Sequence, residues 1–219
     1  MTRKALLVCG ILASLLYVGT DILAAMRYQG YSYTSQTVSE TFAIGAPTRP
    51  LIVVRALAYD VLLIAFGWGL WRFAGRKGPL RIAAGLLVAL GIVDLAGPFA
   101  PMHQRAVLAA GGGTLTDTLH ITLASVDVLF ILLIVAFGAN ASGKLFRLYS
   151  IATILVVFVF GVLAGFDGPR VSANLPTPWV GVTERISIFG YMLWMAVLAI
   201  TLLRVPNPAS SDGLDEESL

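Results

Sequence analysis

The sequence predicts an all-α protein, a polytopic bundle of six transmembrane helices with both termini in the cytoplasm. Of its 219 residues, 58% are hydrophobic and only 12% are charged, whereas a soluble domain is about half apolar and about a quarter charged. The mean hydropathy is +0.85. The apolar residues also come in long runs rather than in the stripes of an amphipathic soluble helix. A lipid-facing exterior explains all three observations.

Six apolar runs are each long enough to cross a bilayer, which takes about 20 residues. They cover residues 5–26, 51–73, 82–101, 117–139, 146–166 and 184–203. The first run is too long for the apolar part of a cleaved signal peptide, so we interpret it as an uncleaved anchor. Residues 1–204 are therefore predicted to form one transmembrane domain, and residues 205–219 a disordered, acidic cytoplasmic tail.

The basic residues between the runs predict the orientation. One side carries Arg3, Lys4, Arg72, Arg76, Lys77, Arg81, Lys144, Arg147 and Arg204; the other carries Arg27, Arg49, Arg105 and Arg170. Cytoplasmic connections are enriched in lysine and arginine, which places the first side inside and the protein in the cytoplasmic membrane. This topology also accounts for the net charge of +3, so no nucleic acid partner is expected.

Ionisable residues collect in the outer halves of the predicted spans, while the inner halves are nearly free of them. A charge at the bilayer centre costs about 2.5–3.5 kcal/mol on insertion scales, so such residues usually face protein or water. We therefore predict an outward-facing polar cavity that binds a small molecule or a lipid headgroup. The surrounding membrane lipids are the other expected partners. Its candidate residues are Asp21, Gln36, Glu40, Arg55, Asp94, His120, Asp127, Glu184 and Arg185.

Two other interpretations of these polar residues remain open. They can be ion pairs that only fix helix packing, for example Arg55 or Arg185 with Asp21 or Asp94. Alternatively, Asp60 and Asp127, both near mid-membrane, can form a proton relay.

Motifs for metals and cofactors are scarce, and neither is predicted. Cys9 is the only cysteine, and it lies inside the first run. The only two histidines, His103 and His120, show none of the spacings of a zinc motif. The alternative function is a membrane-embedded hydrolase acting on a lipid or an amide, with His120 and a carboxylate as general base or as zinc ligands.

The first outer loop, residues 27–50, is longer than most connections between helices. Its aromatic residues predict that it folds over the outer mouth of the bundle as a lid, shielding Arg55 and Glu184. We expect a short helix with Ser35 as its N-cap, which would place Gln36 or Glu40 beside the cavity.

Several segments resemble a known family. These are Tyr31-Ser32-Tyr33-Thr34-Ser35-Gln36-Thr37-Val38-Ser39-Glu40, Gly45-Ala46-Pro47-Thr48-Arg49, His120 at the start of the fourth span and Glu184-Arg185 at the start of the sixth. With the six-span layout they resemble the DUF998 membrane proteins of bacteria and archaea. The resemblance covers nearly the whole chain and implies the same topology, without assigning a reaction. A more distant likeness is to the seven-span ceramidase and adiponectin-receptor hydrolases, whose metal site uses three histidines.

Overall fold

The computed structural model describes residues 2–205, so residues 206–219 of the predicted tail lie outside the described residues. The described helices are α1 (Arg3–Arg27), α2 (Arg49–Ala74), α3 (Gly78–Asp94), α4 (Arg105–Ala109), α5 (Leu115–Gly138), α6 (Lys144–Phe166), α7 (Gly168–Ser172) and α8 (Val180–Leu203). Six helical segments are long and apolar enough to cross a membrane: α1, α2, α5, α6, α8, and α3 extended to Phe99. The all-α, six-span prediction is confirmed, and the chain is a multi-pass membrane protein. The orientation of its ends stays a prediction.

The third span begins and ends earlier than predicted. Residues 82–101 were expected to be helical, but α3 runs from Gly78 to Asp94 and is followed by a short 3-10 helix, Gly97–Phe99. Pro79 is favoured in the first turn of a helix, where no N–H donor is needed. Pro98 has no N–H with which to continue the α-helix. Two prolines therefore move the span toward the N-terminus.

The six long helices form a closed ring. Each packs against its neighbours in the order α1, α2, α3, α5, α6 and α8, and α8 returns to α1. In their most apolar stretches, 44% of the residues are buried in α1 and α8 but only 17% in α5 and α6. Helices α5 and α6 therefore present the largest apolar share to lipid.

An apolar core fills one half of the ring, at the end where residues 75–77 join α2 to α3. Its largest fully buried side chains include Phe66, Leu70 and Trp194. Close contacts hold this half together, since a Cβ on Gly138 would lie 2.6 Å from the Trp194 ring. The buried charged residues lie in the other half, beneath the long loops.

Candidate functional site

Three connections meet at the opposite end of the ring, which we call the loop-rich end: residues 28–48, 95–114 and 167–179. Arg105, at the start of α4, ties all three together. Its Nη1 donates a hydrogen bond to Thr177 Oγ1 at 2.8 Å, and its Nη2 donates to the Ser35 carbonyl at 2.9 Å. Its Nε and Nη2 donate to the two carboxylate oxygens of Glu40, each at 2.7 Å. Arg105 therefore fixes the positions of the three loops relative to one another.

Glu40 is the acceptor at the centre of this arrangement, with a side chain only 4% exposed. It also accepts hydrogen bonds from Gln36 Nε2 at 3.0 Å and from the Thr37 backbone N–H at 2.7 Å. Burial alone would raise the pKa of Glu40, but the hydrogen bonds from Arg105, Gln36 and Thr37 outweigh it and hold the pKa below its ordinary value. Glu40 is therefore a carboxylate at neutral pH.

A second buried ion pair joins Arg185 of α8 to Asp21 of α1. The guanidinium donates to both carboxylate oxygens, at 2.9 and 3.1 Å, and the side chains are 4% and 2% exposed. Arg185 also lies 3.7 Å from the Tyr33 ring centroid and donates to the Tyr31 hydroxyl at 2.7 Å. Burial raises the pKa of Tyr31, so this hydroxyl stays protonated and donates to the Thr37 carbonyl at 2.7 Å. Arg185 and Asp21 have the satisfied geometry of the predicted packing ion pair.

Residues 28–48 form the predicted lid. The Val38 N–H donates to Glu184 Oε2 at 2.6 Å, and the Gly181 N–H donates to the Thr34 carbonyl at 2.9 Å. Val38 and Thr41 are 6% and 0% exposed. The prediction that this segment covers Glu184 is confirmed.

The helix within the lid differs from the prediction that Ser35 is its N-cap, which is wrong. The helix is a single 3-10 turn, Val38–Phe42, with Thr37 at the N-cap. Glu40 reaches back to the Thr37 N–H, as in a capping box. The Ser35 carbonyl accepts a hydrogen bond from Arg105 Nη2 instead.

Three carboxyl groups come from neighbouring helices of the ring: Asp60 of α2, Asp94 of α3 and Asp127 of α5, which we call the carboxyl cluster. Asp94 lies close to both Asp127 and Asp60. Arg55 of α2 is the cation whose charge acts on Asp60 and Asp94. Its guanidinium lies 4.2 Å from the Tyr17 ring centroid. None of the lid contacts described above involves Arg55.

Several polar atoms in and around the carboxyl cluster are buried without a hydrogen-bond partner among residues 2–205. They are Asp60 Oδ2, Asp127 Oδ1, Arg55 Nε and Tyr191 Oη. Asp60 is 1% exposed and Tyr191 is 0% exposed. Such atoms are rare in folded proteins because each costs about 1–3 kcal/mol of desolvation free energy that no hydrogen bond offsets. Four of the seven such atoms in residues 2–205 lie here, the others being Arg3 Nε, Arg49 Nε and Tyr149 Oη, and this grouping distinguishes the cluster from the satisfied pairs above.

Gly91 sets the distance between α2 and α3 at this level. A Cβ there would lie 2.8 Å from Ile64 Cγ1 and 3.1 Å from the Asp60 carbonyl oxygen. A glycine therefore lets the two helix backbones approach closely. Because Asp94 follows Gly91 by one helical turn, this contact brings Asp94 toward Asp60.

The two histidines have different hydrogen-bond partners, and neither partner belongs to the carboxyl cluster. His103 Nδ1 lies 2.8 Å from Asp117 Oδ2, and His120 Nδ1 lies 3.1 Å from the Ala100 carbonyl oxygen. Within residues 2–205, no group of three His, Cys, Asp or Glu side chains is arranged to hold a metal ion. The donor set of a catalytic zinc, with three protein ligands, does not fit this arrangement.

The predicted site residues separate into groups rather than one cavity. Asp21 pairs with Arg185; Gln36 and Glu40 join Arg105; Glu184 binds the lid; Arg55, Asp94 and Asp127 lie at the carboxyl cluster; His120 contacts Ala100. Small clefts remain at the loop-rich surface, one of about 170 Å³ lined by residues including Gln36, Glu40 and Arg105.

Sequence reasoning missed Arg105 and Tyr191. Arg105 was considered only as a basic residue outside the spans. An acidic residue such as Glu40, expected in a lid over the bundle, was already a reason to look for a cationic partner. Tyr191 is an ordinary residue in an apolar run, and no sequence signal separates it from an aromatic side chain that faces lipid.

One comparison with known proteins gives a match. A family model described as "Protein of unknown function (DUF998)" matches residues 11–201. No curated protein and no solved structure matches the chain.

Proposed function

This chain belongs to the DUF998 family, and because that family has no known function, we propose one from the geometry alone: a binding or transport protein. Its ligand is a small molecule or a lipid headgroup, held at the carboxyl cluster inside the ring. Residues 28–48 form the lid over this site. The loop-rich end faces outward across the cytoplasmic membrane, since the basic residues concentrate at the other end.

The observation that carries the proposal is the set of buried, unpartnered polar atoms at the carboxyl cluster. Asp60 Oδ2 and Asp127 Oδ1 are acceptors, Arg55 Nε is a donor, and Tyr191 Oη can be either. A ligand with both donors and acceptors would satisfy them together. Packing alone does not account for them, because apolar residues of similar volume would fill the same space without the desolvation cost.

Access favours the loop-rich end. The other half of the ring is closed by fully buried apolar side chains, including Phe66 and Trp194. The lid is instead held by discrete polar contacts, chiefly Arg105 with Glu40 and Val38 with Glu184. Contacts of this kind can break together while the bundle stays folded.

The test is native mass spectrometry of protein extracted gently from its own membrane. We expect a bound small molecule or lipid, with occupancy reduced about tenfold or more in Asp60→Asn and in Arg55→Gln, since a hydrogen bond to a charged group contributes about 1.5–3 kcal/mol. The matched control is Asp167→Asn, at the partly exposed Asp167, which should keep full occupancy. Protein that carries no bound species, or equal occupancy in all variants, would overturn the proposal.

A further inference from the structure

The turn between α2 and α3 carries three cations at the end of the ring opposite the loop-rich end. We call Arg76, Lys77 and Arg81 the basic turn, and all three are exposed. The ion pairs found within residues 2–205 all lie at the loop-rich end. The acidic residues of this range lie there too or in the middle of the spans: Asp21, Glu40, Asp60, Asp94, Asp117, Asp127, Asp167 and Glu184. No carboxylate of the described chain therefore neutralises the basic turn.

An aromatic ring holds Arg81 in place. Its guanidinium lies 4.4 Å from the Trp71 ring centroid, and its Nη1 donates a hydrogen bond to the Gly75 carbonyl at 3.4 Å. The Trp71 ring lies across the seam between α2 and α3, since a Cβ on Gly85 would be 3.7 Å from its Cζ3. A guanidinium stacked on a ring still presents N–H donors along its edge. Arg81 is therefore a positioned donor group rather than a freely rotating cation.

The basic turn also opposes the dipole of α3. Lys77 is the N-cap of that helix, Arg81 is its fourth residue, and its first turn contains no acidic residue. A helix N-terminus carries a partial positive charge, so cations are unfavourable there and an anion is favourable. An anion at the basic turn would therefore interact with the side-chain charges and with the helix end together.

Exposed apolar side chains indicate that the basic turn borders the hydrocarbon layer. Val54, Val61 and Trp68 follow one another at seven-residue intervals on α2, so they share a face, and all three are exposed. Trp71, one turn after Trp68, is exposed as well. Tryptophan is enriched where a membrane meets water. An anion bound beside these rings would have its own apolar part in the bilayer.

We propose that the basic turn binds the phosphate of an anionic phospholipid. The phosphate oxygens accept hydrogen bonds from Arg81 and are attracted by Arg76 and Lys77, while the two tryptophans contact the glycerol and the upper acyl chains. Basic groups between transmembrane helices attract anionic headgroups in this way. The site goes beyond the proposed function, because about 21 Å of α2 separates Asp60 in the carboxyl cluster from the end of the helix.

A second basic turn, between α5 and α6, provides a matched control. Lys144 and Arg147 lie at the same end of the ring, and Arg147 Nη2 donates a hydrogen bond to Asn140 Oδ1 at 3.0 Å. Within residues 2–205, neither cation is stacked on an aromatic ring. If the charges served only to fix the topology, the two turns would be equivalent. The proposal requires them to differ.

Native mass spectrometry of the purified protein, titrated with phosphatidylglycerol or phosphatidylcholine, tests this. We expect the first phosphatidylglycerol to bind more tightly than phosphatidylcholine. Arg81→Gln should weaken phosphatidylglycerol binding about tenfold, because it removes a hydrogen-bond donor to a charged group. Arg147→Gln removes the same charge at the same end and should bind like the wild type. Trp71→Leu keeps every charge and should still weaken binding, which a merely electrostatic surface would not show.

Three results would overturn the proposal. They are equal affinity of the wild type for the two lipids, equal weakening in Arg81→Gln and Arg147→Gln, and displacement of phosphatidylglycerol by an equal concentration of inorganic phosphate, which would indicate a soluble anion. The wild-type comparison of the two lipids decides even where a variant is unstable. Asp60→Asn should bind phosphatidylglycerol normally, and Arg81→Gln should keep the ligand of the carboxyl cluster, so the two proposals fail separately.

Discussion

Replacing Arg105 with alanine is expected to release the lid while the helix ring stays folded. The change removes the cation from Glu40, whose side chain is 4% exposed, and the donors to Ser35 and Thr177. Breaking a buried ion pair by removing one partner costs about 3–5 kcal/mol. Arg105 is 13% exposed, so we take the lower end, about 3 kcal/mol, which corresponds to a roughly 100-fold larger opening constant. The opening constant of Arg105→Lys should lie between those of the wild type and Arg105→Ala, because lysine keeps the charge but lacks the planar guanidinium.

Hydrogen exchange with mass spectrometry, on protein in lipid nanodiscs, measures this opening directly. Peptides covering residues 30–46 should exchange faster in Arg105→Ala, while peptides from α1 and α8 stay protected. The matched control is Arg27→Ala, since Arg27 is an exposed arginine at the loop-rich end of α1. Unchanged exchange of residues 30–46 in Arg105→Ala, or the same change in Arg27→Ala, would refute the role assigned to Arg105.

Two further predictions concern the same lid. The pKa of Glu40 lies below its usual value of 4.5 in the folded protein, so its carboxylate stabilises the closed lid above that pH, and this stabilisation is lost as the pH falls through the folded pKa. Lid exchange, corrected for the intrinsic pH dependence, should therefore rise as the pH falls through the folded pKa of Glu40; exchange that stays constant in acid would contradict it. A Cβ at Gly181 would collide with the Tyr33 and Gln36 carbonyl oxygens. In thermal unfolding measurements, Gly181→Ala should therefore lower the free energy of unfolding by about 1–3 kcal/mol. In contrast, Gly19→Ala, where nothing lies within 4 Å, should leave it unchanged or raise it by up to about 1 kcal/mol.

The spans were predictable from sequence because their cause is local. An apolar run of about 20 residues crosses a bilayer whatever its neighbours are, and the deviation at α3 came from two prolines that the sequence also contains. The concentration of ionisable residues in one half of the spans was likewise visible before the structure. One of the ion pairs considered in advance, Arg185 with Asp21, is present.

The partners at the loop-rich end were not predictable because they are distant in sequence. Arg105 contacts Glu40 and Thr177 across 65 and 72 positions, and no periodicity links such residues. The helix start is a different case, because Thr37 and Glu40 form a capping box three positions apart. This local pattern was present in the sequence and competes with Ser35 as N-cap.

Arg185 and Arg55 show why the carboxyl cluster, rather than the ion pair, is the candidate site. Both are arginines within predicted spans, where a charge costs about 2.5–3.5 kcal/mol. Arg185 recovers that cost through Asp21, three backbone carbonyls and Tyr31, so its contacts fully explain its presence as a packing element. Arg55 has the Tyr17 ring, the nearby carboxylates of Asp60 and Asp94, and an Nε without a partner. Its hydrogen-bonding capacity is therefore less completely used than that of Arg185, and this difference supports placing the proposed ligand at the carboxyl cluster.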